Sequence, residues 1–235
     1  MKRVIKLPFF ELGVKNYIYG DEVLEIAALA DRLAEKYDMD ILMTVPFCDI
    51  RWVAQNTKRV IIFAPYMDTI RPPGRGQGSI LPESVKAAGA HGVVLNHCEC
   101  PMSVSHIKYA IEIAREIGLL SMVCADSVLE ARALAHFRPD ILVPEPTEYI
   151  GSGRTSDLSY VQEAIQAIRE IDPDVIIEVG AGVSTPEDVY RNIMAGTDGT
   201  GACSGIHNAT DPWVMFEDMV QSVKKAAKDR LDKSL

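Results

Sequence analysis

The chain has 235 residues, of which 48% are hydrophobic and 24% are charged, a composition typical of globular proteins that bury an apolar core. Lys and Arg total 24 against 33 Asp and Glu, so the net charge is −9. This balance argues against partners with a nucleic-acid or anionic membrane surface. No apolar run approaches the ~18 residues of a membrane span and no cleavable leader is evident, so we expect a cytoplasmic protein without a membrane partner.

The cysteines also favour a reducing compartment, because an odd and scattered set is not a disulfide framework. They are Cys48, Cys98, Cys100, Cys124 and Cys203. Two of them stand in the cluster His97-Cys98-Glu99-Cys100. No second Cys/His pair lies at zinc-type spacing elsewhere, so the sequence predicts no metal site.

Apolar, β-branched runs recur along the whole chain and predict eight strands. They are 4–7, 40–45, 59–64, 91–96, 119–125, 140–145, 175–180 and, more weakly, 198–204. Stripes of apolar residues at helical spacing lie between these runs. They predict helices at 21–37, 105–117, 127–137, 159–171 and 185–195, shorter helices at 49–56 and 82–88, and a last helix from near Pro212.

The strand runs are apolar nearly throughout, which indicates strands that are buried on both faces, as in a parallel sheet. Eight such β/α alternations in 235 residues predict an α/β fold of the (β/α)8 barrel type. An open doubly wound sheet usually has fewer strands at this length and a glycine-rich first turn, which 9–15 lacks. No linker divides the chain, so we expect a single domain over 1–235.

Polar or glycine-rich segments follow five of the predicted strands. Lys15 follows the first strand, His97 the fourth and Glu145 the sixth, and glycine-rich turns at 180–184 and 199–205 follow the seventh and eighth. In a barrel the carboxyl ends of all strands face the same rim, so these groups are expected to meet. Each alone has an ordinary structural explanation. Together they supply a base, an imidazole, a cation and backbone amides, which is a plausible catalytic set.

Two further segments add to this rim. The turn after the seventh strand leads into the helix 185–195, whose N-terminus favours negative charge and therefore a phosphate. The segment 149–156 after Glu145 is small and polar, so it is expected to be a mobile lid over the site.

Several motifs, in order along the chain, resemble triosephosphate isomerase in its short archaeal-type form. They are Leu95-Asn96-His97-Cys98-Glu99, Glu145-Pro146-x-Glu148-x-Ile150-Gly151-x-Gly153, Gly180-Ala181-Gly182-x-Ser184-Thr185 and Ser204-Gly205. The resemblance implies a TIM barrel that interconverts D-glyceraldehyde 3-phosphate and dihydroxyacetone phosphate in glycolysis and gluconeogenesis. It also implies a small phosphorylated sugar as substrate, no metal or organic cofactor, and a homo-oligomer, either a dimer or a tetramer.

The same resemblance implies a role for each matching residue. Glu145 is expected to remove the proton next to the substrate carbonyl, and Lys15 to supply positive charge. His97 is expected to act as a neutral electrophile, with its pKa lowered by a helix that starts in the segment 99–107. Glu99 matches the family's supporting glutamate, and Cys124 matches a packing position. Backbone amides are expected to hold the phosphate near Ile150, Gly151, Gly182, Cys203 and Ser204.

One departure from the family pattern concerns the first loop. The family has Asn-x-Lys there, whereas this chain has Gly13-x-Lys15 and so lacks the amide that helps to orient the substrate. Either a neighbouring group replaces the amide, or the substrate is a four-carbon or larger sugar phosphate. A third reading is a phosphate-binding barrel without catalysis. The presence of Lys15, His97 and Glu145 together argues against that reading, because a binder needs no base.

Overall fold

The computed structural model describes residues 3–151, 153 and 155–233. Its eight strands are all parallel and form a closed barrel in the order β1 to β8, with β1 pairing to both β2 and β8. The predicted (β/α)8 barrel is therefore confirmed. None of the helices among these residues is both long and apolar enough to cross a membrane.

The strands are short and lie almost entirely in the interior. All residues of β2 to β6 and of β8 are buried, as expected for a sheet covered by helices on its outer face. The bounds are β1 Phe9–Gly13, β2 Ile41–Thr44, β3 Ile61–Ala64, β4 Gly92–Leu95, β5 Leu120–Ala125, β6 Ile141–Pro144, β7 Ile176–Val179 and β8 Gly199–Ala202.

The helices surround the barrel and bury their apolar stripes against it. Their bounds are α1 Asp21–Tyr37, α2 Ile50–Asn56, α3 Pro82–Ala88, α4 Val104–Ile117, α5 Val128–Ala135, α6 Leu158–Arg169, α7 Pro186–Ala195, α8 Ser204–His207 and α9 Pro212–Lys233. The four-residue α8 and a 3-10 turn at Thr147–Tyr149 were not predicted. Both lie in loops at the carboxyl ends of strands.

The predicted first strand at 4–7 is wrong. Val4 is 88% exposed and Leu7 is 44% exposed, whereas Phe9, Phe10 and Leu12 are completely buried in β1. The sequence misled because β1 carries a charged residue and ends in glycine, which together look like a turn. The shift places Gly13 within the strand, directly at the rim of the barrel.

Two aromatic rings fill the part of the barrel farthest from the rim. A Cβ atom on Gly199 would lie 2.2 Å from Cζ of Phe9, and one on Gly92 would lie 2.3 Å from Cε1 of Phe63. Each ring therefore occupies the space that a side chain on the neighbouring strand would need. This packing closes one end of the barrel and leaves the other end for polar groups.

We predict that Gly199→Ala destabilises the protein by about 1–3 kcal/mol, because the buried ring of Phe9 cannot withdraw without disturbing the core. The free energy of unfolding in urea measures the effect. Gly74→Ala is the matched control, since its new Cβ atom would lie 3.4 Å from its nearest neighbour, in an exposed loop. Equal stability of the two variants would contradict the packing described here.

Candidate active site

A cavity of about 680 Å³ opens at the carboxyl ends of the strands. All ten residues that the sequence assigned to the site line this cavity, although they lie at the ends of five different strands. They are Gly13, Lys15, His97, Glu99, Glu145, Ile150, Gly151, Gly182, Cys203 and Ser204. The closed barrel therefore brings together the groups that the sequence only placed on a common rim.

Lys15 lies just beyond β1 in a left-handed backbone conformation with φ of 47°. Its Nζ donates a hydrogen bond to Oε1 of Glu99 over 2.7 Å. Burial disfavours the charged form, but the hydrogen bond and negative charge of Glu99 raise the pKa of Lys15 above its ordinary value. The cavity thus contains a permanent positive charge held in place by a carboxylate.

His97 is held as a neutral imidazole. The backbone N–H of Glu99 donates to its Nδ1 over 3.1 Å, so the ring proton lies on Nε2. Burial and the charge of Lys15 lower the pKa of His97. The helix α4 begins at Val104, inside the expected segment 99–107, but the amide that meets the ring belongs to the turn before this helix. A turn amide therefore fixes the tautomer.

Glu145 begins the loop after β6 and is anchored by its own backbone N–H, which donates to the carbonyl of Ala125 over 2.7 Å. Its Oε1 lies 2.9 Å from the position that a Cβ atom on Gly180 would occupy. Burial raises the pKa of Glu145 to about 7, while Lys15 and a hydrogen bond from the backbone of Gly180 act in the opposite direction. The result is a carboxyl group whose affinity for protons suits a general base near neutral pH.

The glycine-rich turns after β7 and β8 lie in contact. A Cβ atom on Gly205 would be 2.5 Å from the carbonyl oxygen of Val183, so only glycine allows this approach. The helix α7 does not offer its N-terminus to an anion as expected, because Asp188 accepts hydrogen bonds from the amides of Ser184 and Thr185. The candidate anion site therefore lies in the turns themselves, where Gly182 has φ of 70°.

Comparison with known proteins agrees with this geometry. The profile of the family described as triosephosphate isomerase matches residues 14–223. The chain belongs to the triosephosphate isomerase family. Proteins named triosephosphate isomerase include one from Sulfurisphaera tokodaii, 34% identical over 94% of this chain and 98% of its own length. Another from Methanobacterium bryantii is 33% identical over 95% of this chain and 100% of its own length.

Position 13, where this chain departs from the family's asparagine, faces the cavity. The space for its side chain is partly taken by Cys203. A Cβ atom on Gly13 would lie 3.1 Å from Cβ and 3.6 Å from Sγ of that cysteine. The thiol stays protonated, because burial raises the pKa of Cys203 to about 12. The cysteine therefore fills volume here and does not replace the length or the N–H donors of an amide.

The structure describes part of the segment 149–156, which the sequence predicted to be a lid over the site. Ile150 and Gly151 line the cavity, and Gly151 has φ of 69°. Just before them, the backbone N–H of Thr147 donates to Asp126 over 2.7 Å. Ser152 and Arg154 lie outside the described residues. Closure of the segment 149–156 stays a prediction.

The sequence singled out one cluster of side chains that can bind metals, at 97–100. Three of its residues, His97, Glu99 and Cys100, line this cavity. Within the described part of the chain, no three His, Cys, Asp or Glu side chains are arranged to hold a metal ion. Cys124 is buried in β5, where burial raises its pKa well above the ordinary value. It packs the barrel as the resemblance implied.

The sequence analysis missed a residue that holds the first loop. His207, in α8, donates from Nε2 to the carbonyl of Gly13 over 3.0 Å. The ring of Tyr17 stacks on the ring of His207 with centroids 5.0 Å apart. The contact joins residues 194 positions apart, so no local pattern could have signalled it. His207 thus contacts the first loop on both sides of Lys15, at Gly13 and at Tyr17.

We predict that His207→Phe lowers kcat/KM about tenfold, since the substitution keeps the stacking but leaves a partly buried carbonyl without its donor, at a cost of about 1–3 kcal/mol. Most of the loss should appear in KM, because the loop that carries Lys15 becomes less ordered. Steady-state kinetics and urea unfolding measure both effects. His106→Phe, on the exposed surface of α4, is the control, and an equal effect there would exclude this role.

Proposed function

We propose that the protein interconverts D-glyceraldehyde 3-phosphate and dihydroxyacetone phosphate through an enediol or enediolate. One observation carries this proposal: Lys15, His97 and Glu145 line one cavity, each in the protonation state that the reaction needs. Two glycine-rich turns at the same rim supply backbone amides for the phosphate. The names of the relatives support the triose substrates.

The reaction follows from these states. The ionised carboxyl of Glu145 takes a proton from the carbon next to the carbonyl, while Nε2–H of His97 donates to the carbonyl oxygen as negative charge develops there. Lys15 stabilises that charge and the phosphate. His97 gives its Nε2 proton to that oxygen and takes the proton of the neighbouring hydroxyl, which becomes the new carbonyl. Glu145 returns its proton to the former carbonyl carbon, so both residues end in their starting states. No atom is gained or lost, which is what an isomerisation requires.

Two alternatives fit less well. A barrel that only binds phosphate needs neither a carboxyl group with a pKa near 7 nor a neutral imidazole donor in the same cavity. A four-carbon or larger sugar phosphate would suit the space left by the missing side chain at Gly13, but Cys203 already takes part of that space. The related proteins of known name also favour the triose phosphates.

We also propose that one barrel domain spans 1–235, that it forms a homo-oligomer, and that it works in the cytoplasm without metal or organic cofactor. All five cysteines are free, which suits a reducing compartment. The oligomer is proposed on the family resemblance alone, and sedimentation of the purified protein measures it.

We predict that the purified protein isomerises both triose phosphates, with turnover unchanged by a chelator. In deuterated water, NMR should show exchange of the proton on the carbon next to the carbonyl, because Glu145 exchanges its proton with solvent. Tetrose and pentose phosphates in parallel reactions test the larger substrates. Faster turnover of one of those, or turnover that a chelator abolishes, would contradict the proposal.

We predict that Glu145→Gln removes most turnover but leaves the affinity for glycerol 3-phosphate nearly unchanged, because the base acts on carbon and contributes little to ground-state binding. Glu148→Gln, three residues along the same loop and exposed, should be much milder. In the unmodified enzyme, the acid side of the kcat/KM profile should rise toward about pH 7 as Glu145 ionises. The reverse ranking of the two variants would place the base elsewhere.

A further inference from the structure

Two carboxyl groups that the mechanism above does not use lie beneath the candidate active site. Glu11 on β1 and Glu178 on β7 point into the barrel from either side of β8 and converge on Gly201. A Cβ atom on Gly201 would lie 2.8 Å from Oε2 of Glu11 and 2.7 Å from Oε1 of Glu178. Both side chains line the floor of the same cavity as Glu145.

The surroundings of this carboxyl pair do not balance two negative charges. Oε1 of Glu11 accepts a hydrogen bond from the hydroxyl of Thr44 over 2.8 Å. Glu178 is only 3% exposed, and its Oε2 has no hydrogen-bond partner among the described residues. A buried carboxylate without a donor is costly, and two adjacent ones repel each other. At least one proton therefore stays on the pair at neutral pH.

The protonation states follow the same physics. Burial and the negative charges of Glu11 and Glu145 raise the pKa of Glu178 well above its ordinary value. Burial raises the pKa of Glu11 to about 7, with Glu145 adding to the shift and Thr44 and Lys15 opposing it. The thiols of Cys124 and Cys203 also lie near Glu11, and burial keeps both protonated. Glu11 is therefore the member of the pair that changes charge near neutral pH.

The free oxygen of Glu11 faces the place where this chain lacks a side chain. Its Oε2 lies 3.8 Å from the position of a Cβ atom on Gly13. Oε1 is already bound to Thr44, so a proton on Glu11 resides on Oε2, which lies between Glu178 at Gly201 and the space beside Gly13. A neutral carboxyl group in this position is a hydrogen-bond donor, as an amide would be.

We propose that Glu11, kept neutral beside Glu178, donates a hydrogen bond from Oε2 to an oxygen of the substrate's reacting carbons, in the space that Gly13 leaves open. The inference rests on the proposed isomerase function. The proton stays on Glu11 throughout, so no bond forms or breaks there. The donor stabilises the negative charge of the enediolate, and that charge in turn favours the protonated form of Glu11.

The pair of variants Glu11→Gln and Glu11→Leu tests this donor. Gln keeps a neutral donor, whereas Leu keeps volume but donates nothing. We expect E11L to lower kcat/KM about 10²-fold, mainly through kcat, and E11Q to lower it much less. Met122→Leu, an apolar change in β5, is the packing control. If E11L and E11Q lose equal activity, or E11L behaves like the control, the proposal is overturned.

The pH profile gives a second readout. Glu11 donates only when protonated, so its contribution to kcat/KM should be present below its pKa and lost as pH rises through about 7. In E11Q this decline should disappear, because an amide does not titrate, while the rise due to Glu145 remains. An E11Q profile that keeps the same decline would contradict the assignment.

Carbon-13 NMR of the carboxyl groups of labelled glutamates separates this proposal from the proposed function. The signal missing in E11Q identifies Glu11. We expect it to titrate near pH 7 and to shift when glycerol 3-phosphate binds. If the Glu11 signal titrates below pH 5, or does not shift at saturating glycerol 3-phosphate, the proposed donor is overturned whatever turnover is measured. Absence of triose turnover with an intact titration and shift would overturn the isomerase function alone. Since this measurement needs only the unmodified chain and E11Q, a failure of E11L to fold does not affect it.

Discussion

The pairing of β1 with β8 is the interaction on which the rest of the structure depends, because it closes the sheet. Closure directs the carboxyl ends of all eight strands to one rim, and it leaves a small interior that must be filled by inward-facing side chains. At one end the rings of Phe9 and Phe63 fill it. At the other end glycines and carboxyl groups leave an open floor. The barrel is thus a packed support for a polar cavity.

A shortage of positive charge governs the chemistry of that cavity. Among the described residues, Lys15 is the cation that acts on Glu11 and Glu145, and it is itself bound to Glu99. The charges that act on Glu178 are those of the other two carboxyl groups. Where buried carboxyl groups outnumber the cations near them, burial and mutual repulsion raise their pKa values toward or above 7. Such groups can keep their protons at neutral pH. One consequence is a base able to accept a proton from carbon at neutral pH. Another is that neutral carboxyl groups become available as hydrogen-bond donors.

Contacts between loops hold the rim in place. His207 binds the carbonyl of Gly13, Lys15 binds Glu99, and Asp126 binds the amide of Thr147. Each of these joins a loop to one that follows a different strand. These contacts connect the loops to one another as well as to their own strands. A residue such as Lys15 can therefore keep an uncommon backbone conformation.

The sequence by itself determined the parts of this protein that depend on local periodicity and on topology. The apolar stripe of 21–37 predicted α1 with its observed bounds, and seven strand runs predicted β2 to β8. The barrel topology then placed Lys15, His97 and Glu145 on one rim, because parallel strands end at the same edge. The ordered motifs indicated the family, which the comparisons confirmed.

Only the tertiary structure decided what depends on contacts between distant residues. The true β1 was hidden because Glu11 is an ionisable residue, and only barrel closure shows that its carboxyl group points inward. The same is true of Glu178 within an otherwise apolar run. The partner of Gly13 lies 194 residues away in His207, and the N-terminus of α7 is occupied by Asp188. Local patterns report which face of an element is apolar. The protonation state of a carboxyl group depends on burial and neighbouring charge, and the folded barrel sets both.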